Sequence, residues 1–76
     1  MLTADFVRDR ILASIPGAAV DVLDTTGGGD HFQAVIRSER FAGLTRVQQH
    51  KLVYAAVQAE LQNGSIHALS LKTETP

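Results

Sequence analysis

The chain has 76 residues, of which 45% are hydrophobic and 20% charged, with a formal net charge of −1 and no cysteine. This length predicts one domain, residues 1–76, with a thin core, because a domain of about 60 residues buries only about 60% of the surface that its unfolded chain exposes. The hydrophobic share argues against disorder, the near-neutral charge argues against a chain-wide field for polyanions, and the missing cysteine excludes disulfides and a thiolate ligand from this chain.

Thr3 is a candidate cap for a first helix, and Asp5 places a negative charge in its first turn. Val7, Ile11 and Ile15 recur every four residues beside Phe6 and Leu12, while Arg8, Asp9 and Arg10 lie off that stripe, so the helix is amphipathic. Pro16-Gly17 ends it. The opening MLTADFVRDR mixes acids with bases and lacks an apolar segment, which predicts no signal peptide. No apolar run approaches the ~20 residues that span a bilayer, so the expected location is the cytoplasm and no membrane is expected as a partner.

Residues 19–24 alternate as a first strand, and HFQAVIRS (31–38) as a second, with Phe32, Ala34 and Ile36 on one face and Gln33, Val35 and Arg37 on the other. The intervening Thr25-Thr26-Gly27-Gly28-Gly29-Asp30 makes the pair a hairpin, and its three glycines predict a mobile backbone. Glu39–Leu44 is a connection. Thr45 caps a second helix running from Arg46 to about Gln62, with an inward stripe of Val47, His50, Val53, Tyr54, Val57 and Leu61. Asn63-Gly64 stops it, and Ile66–Lys72 is the third strand. The order αββαβ predicts an α+β fold, both helices on one face of a three-stranded sheet. Pattern alone leaves the neighbour of the third strand open.

The PGAAVDV approach to the first strand, His31-Phe32-Gln33 after the loop, the Arg46-Val47-Gln48-Gln49-His50-Lys51-Leu52-Val53-Tyr54 helix and the Ile66–Thr73 strand together resemble the BolA-like family, over nearly the whole chain. The resemblance implies a class II KH-like fold. It also implies a monothiol glutaredoxin as partner and a [2Fe-2S] cluster held between the two proteins, with thiolates from glutaredoxin and glutathione, and no cofactor on the isolated chain. On this side the ligands would be the last-strand histidine, His67 in its Ile-His-Ala-Leu-Ser context, and a residue of the loop between the first two strands. Imidazole replaces thiolate on one iron of Rieske-type centres, so the chemistry is consistent.

Other readings of these residues stand beside this one. His67 alone could be a strand-edge histidine bonded to backbone. In many cysteine-bearing relatives the loop ligand lies a few residues earlier, where this chain has Gly27-Gly28-Gly29. Either His31 is the loop ligand, or the chain contributes only His67. Two neighbouring imidazoles titrate as a pair, and their metal affinity falls as pH drops, because only the deprotonated ring binds. His31, His67 and a carboxylate such as Asp30 could hold a hydrolytic zinc, but the sequence offers no nucleophile elbow and no acid/base pair, so an enzyme is not expected. His50, among Val47, Val53 and Tyr54, reads as a packing residue.

The glycine loop lacks the Lys-Ser/Thr and helix of a phosphate-binding loop, and no GxxG stands between two helices. Arg37, Arg40, Arg46 and Lys51 could still form a basic patch, so the alternative function is a KH-like DNA-binding transcriptional regulator. Three departures from relatives bear on this. The chain ends at Pro76, where relatives often continue. Glu74 stands where an aromatic is common, which removes apolar cover from the last strand. Gln49 stands where Arg is frequent, which lowers the charge of the second helix. The free chain is expected to be a monomer or weak homodimer.

Overall fold

The computed structural model describes all residues, 1–76. The elements are α1 (Ala4–Ser14), β1 (Ala19–Asp24), β2 (His31–Arg37), a 3-10 turn (Glu39–Phe41), α2 (Arg46–Ala56), α3 (Gln58–Gln62) and β3 (Ala68–Glu74). Thr3 Oγ1 accepts from Phe6 N at 3.1 Å, which satisfies one of the orphan donors that open α1. Thr45 and Gln48 close a reciprocal capping box at the start of α2.

The sheet runs β1-β2-β3, with β1 antiparallel to β2 and β2 parallel to β3. The two pairings follow their connections: a short loop turns the chain back on itself, whereas a crossover through α2 and α3 returns it in the same direction. The register places Val20 and Val22 opposite Ile36 and Ala34, and Phe32 and Ala34 opposite Leu69 and Leu71. This face is covered by Val7, Ile11 and Ile15 of the first helical segment and by Val53 and Val57, with Phe41 and Ile66 completing one buried cluster. The fold is therefore α+β with its helices on one face of the sheet, and β2 as the central strand.

Three expected boundaries differ. The second helix does not run unbroken to Gln62. At Val57 the backbone adopts φ −123°, ψ 27°, and Val57 N donates to Tyr54 O at 3.1 Å, three residues back, before Leu61 N resumes the four-residue pattern to Val57 O. The break buries Val57 and lets Glu60 accept from Arg10 Nη2 at 3.1 Å, so tertiary contacts override helix continuity. The third strand starts two residues later than expected and runs on to Glu74, since Ile66 N and His67 N are taken by Glu60 O and Asp30 O rather than by the ladder. Ser38 leaves β2 to accept from Arg40 N and open the 3-10 turn.

Val47 does not belong to the inward stripe; it is 64% exposed. Six residues at about 100° each set it about 120° round the helix from Val53. Gln49 does more than lower a charge. Its Nε2 donates to Phe41 O and Leu44 O, both at 3.1 Å, and its Oε1 accepts from Thr73 Oγ1 at 2.6 Å. One side chain thus ties the connection before α2 to the far end of β3. Glu74 meets Arg37 across the strands at 3.7 Å, an exposed pairing of charges in place of apolar cover.

Candidate metal centre

The glycine loop is held in place by the residue before it. Asp24 Oδ1 accepts from Thr26 N at 3.2 Å and Gly27 N at 2.8 Å, and its Oδ2 accepts from Gly29 N at 3.0 Å. Thr25 donates to His31 O through both its backbone N (3.0 Å) and its hydroxyl (3.2 Å). Gly29 is buried and accepts from Leu2 N at 3.3 Å. The expected mobile loop is instead an Asx-anchored turn, because one carboxylate offers acceptors to three backbone donors. Sequence reading passed over Asp24; the signal was an Asp directly ahead of a run of small residues with free N–H groups.

The loop delivers Asp30 and His31 to the start of β2, and β3 begins alongside. Asp30 O accepts from His67 N at 2.8 Å and Ala68 N at 3.3 Å, so the two strand starts are joined at Asp30. Side chains follow. Asp30 Oδ1 lies 2.9 Å from His31 Nδ1, and Asp30 Oδ2 lies 3.3 Å from His67 Nδ1. The rings stand edge-to-face with centroids 5.7 Å apart and an interplanar angle of 88°. All three groups are open to solvent, with side-chain exposures of 34% for Asp30, 41% for His31 and 60% for His67. The His31 hydrogen bond, joined by the charge of that ring, the Thr26 hydroxyl and the charge of His67, holds the Asp30 carboxyl below its usual 3.8 against partial desolvation.

These residues fit half of a metal's donor set. His31 turns Nδ1 to the carboxylate in a hydrogen bond, and an ionised acid only accepts, so in the neutral His31 ring the proton sits on Nδ1 and the lone pair on Nε2, while His67 Nδ1 lies near the other carboxylate oxygen without a hydrogen bond. Two imidazoles suit iron, and further ligands would come from outside the chain.

The structure brings His31 and His67 together and leaves the other candidates apart. His50 is half-buried and packs edge-to-face on Tyr54, whose hydroxyl donates to Leu69 O at 3.2 Å. It also lines a hollow of about 350 Å³ with Arg46, Lys72 and Thr73. Lys51 lines a different hollow with Tyr54 and Gln58. Arg37 and Arg40 share a third with Glu39. The four expected basic residues are thus spread over three hollows.

A family model described as BolA-like protein matches residues 13–76. The chain is 32% identical to the Rickettsia prowazekii protein RP812 over 72 residues, which covers 95% of this chain and 92% of that one. It is 44% identical to human BolA-like protein 1 over 50 residues, 66% of this chain but only 36% of the human protein, so it spans about a third of that relative's length. Among solved structures, a BolA protein homologue from Coxiella burnetii superposes with a TM-score of 0.83 at 36% identity, covering 100% of this chain and 94% of the other.

Proposed function

The chain belongs to the BolA-like family, and we propose that it is a non-enzymatic cytoplasmic adaptor that partners a monothiol glutaredoxin and shares a [2Fe-2S] cluster with it in iron–sulfur assembly and iron homeostasis. One observation carries this reading: His31 and His67, 36 positions apart in sequence, sit on a single carboxylate with their Nε2 atoms free of it. His31 and His67 would hold the cluster on this side, and a bound cluster supplies electron storage or delivery of iron and sulfide. The protein's own part is orientation. Asp30 fixes the tautomer of His31 and lies beside the His67 ring, the Asp24-anchored turn holds Asp30, and the exposed rings are accessible to a docking partner. No helix is long and apolar enough to cross a membrane.

The test mixes the chain with a monothiol glutaredoxin, iron, sulfide and glutathione, and records visible absorption and circular dichroism. The expected spectrum differs from that of the glutaredoxin homodimer, is lost in His67→Ala, and shifts or is lost in His31→Ala. A spectrum unchanged by adding the chain, or retained in His67→Ala, overturns the reading. A second reading, DNA binding, is favoured by the basic hollow of Arg46, His50 and Lys72. It requires affinity that falls steeply with salt and depends on Arg46 rather than His67.

A further inference from the structure

The carboxylate between the two rings can do more than orient them. We infer that Asp30, His31 and His67 form a binding site for a single first-row divalent cation on the free chain, with Asp30 as a direct ligand. This goes beyond the shared cluster and holds whether or not a glutaredoxin partner exists. It also departs from the expectation of no cofactor on the isolated chain, since the structure places Asp30 beside both rings.

The geometry is close to what such an ion imposes. Metal bonds to imidazole nitrogen and carboxylate oxygen run about 2.0–2.2 Å, which sets neighbouring ligand atoms about 2.9–3.5 Å apart in octahedral or tetrahedral arrangements. The two nitrogen–oxygen separations, each to a different oxygen of the one carboxylate, are 2.9 Å and 3.3 Å, within that range. One ligand atom from each of the three residues can be chosen so that no two lie more than 4.8 Å apart. The rings therefore need to close by about 1–2 Å, which rotations of half-exposed side chains accomplish. The backbone does not have to move: Asp30 O is bonded to His67 N and Ala68 N, and Asp24 pins the turn from the other side.

The chemical class follows from the donors. Two imidazoles and one carboxylate, with open positions left to water, form the set that suits Fe(II) and also accepts Co(II) or Zn(II). A hard ion such as Mg2+ is disfavoured by the nitrogen ligands. In this mode the metal takes the Nδ1 atoms, replacing the His31 proton that now lies toward Asp30. In the shared-cluster mode Asp30 remains a hydrogen-bond acceptor and the Nε2 atoms face outward. The two modes exclude each other through the same rings, so a free divalent cation would compete with cluster sharing.

The experiment uses the untagged full chain without any partner, so its outcome is read separately from the cluster test. Co2+ is titrated at neutral pH and followed by its visible absorption. Zn2+ is titrated in parallel and followed by the ring 15N resonances, which distinguish Nδ1 from Nε2 ligation. The expected result is one ion per chain, Nδ1 ligation of both rings, loss of binding in His67→Ala, and at least a tenfold weakening in Asp30→Asn, as even outer-shell partners of a metal site contribute about 10–100-fold. Circular dichroism of each variant establishes that it is folded, and Asp30→Ala is the second variant should Asp30→Asn be unfolded. No ion bound at millimolar Co2+, a stoichiometry other than one, ligation through Nε2, or an affinity unchanged in the folded Asp30 variant each overturns the inference.

Discussion

Three adjacent glycines are expected to respond to alanine in three different ways, and the ranking tests whether the turn is built as described. Gly27 has φ +78° with nothing within 4 Å of an added Cβ. Alanine there meets only left-handed strain of about 1–2 kcal/mol, partly offset by about 0.4–1 kcal/mol of lost unfolded-chain entropy, for a net cost of about 1 kcal/mol. Gly29 has φ +75°, and its Cβ would lie 2.6 Å from Leu2 O and 3.2 Å from Leu2 N, and against Met1 Cγ. The same strain applies, and Leu2 must also move. That breaks the Leu2 N to Gly29 O bond, worth about 1 kcal/mol, and lifts a half-buried leucine from the core edge. The total is about 2–3 kcal/mol. Gly28 has no left-handed φ, and its Cβ meets only Asp30 Oδ1 at 3.2 Å and Thr26 Oγ1 at 3.4 Å, both ends of movable side chains. Alanine there changes stability by no more than about 0.5 kcal/mol but displaces the carboxylate, so it is expected to weaken the proposed metal site. A domain of this size loses about 4–8 °C per kcal/mol, so thermal unfolding should show drops of about 10–20 °C for Gly29→Ala, about 4–8 °C for Gly27→Ala and almost none for Gly28→Ala. Equal melting of the Gly27 and Gly29 variants would refute the contact with Leu2. Wild-type melting of all three would mean that the loop is as free as its glycine content suggests.

Gln49→Ala strands two carbonyls and a hydroxyl and is expected to cost about 2–3 kcal/mol in urea unfolding, whereas Gln49→Arg, able to donate to both carbonyls, should cost about 1 kcal/mol or less; equal losses would contradict the clamp. Arg10→Met removes the only donor to Glu60, whose other oxygen is buried without a partner, and should destabilise by about 2–3 kcal/mol, with Arg10→Met/Glu60→Gln recovering part of the loss. The Asp30 carboxyl is held below its usual 3.8, so its contribution to stability is present above that value and disappears as pH falls through the lowered one. The stability difference between wild type and Asp30→Asn should therefore shrink as pH falls below about 4, and a carboxyl 13C titration of Asp30 at or above 3.8 would contradict the His31 hydrogen bond.

Local chemistry made some elements legible and left others hidden. Thr3, Asp5 and the four-residue spacing of Val7, Ile11 and Ile15 define α1 within the segment itself. The alternation of Phe32, Ala34 and Ile36 likewise gives β2 its buried face. The break at Val57 does not show in the helical pattern, and the contact it permits, Glu60 with Arg10, joins residues 50 positions apart. Gln49 read as a missing charge, since its partners Phe41, Leu44 and Thr73 are brought to it only by the fold. The partner of β3 was open for the same reason. His67 and His31 stood out as candidate residues, whereas their contact with one carboxylate depends on strand register.

That register and the site are one structural fact. The parallel pairing sets His31 opposite Ala68, and Asp30 O receives the N–H groups of His67 and of Ala68, the first residue of the strand, so the carboxylate that reaches both rings belongs to the residue that aligns the strands. A slip of β3 by one residue would turn Leu69 and Leu71 away from the core. It would also move His67 off Asp30. The core therefore guards the site: burial of Leu69 opposite Phe32 selects a register in which the imidazoles converge. This explains how two half-exposed histidines, on a turn and a strand start, keep a defined geometry without being buried themselves. Their precision comes from the apolar face beneath and from Asp24 behind the turn, and the rings stay accessible to whatever metal or partner they meet.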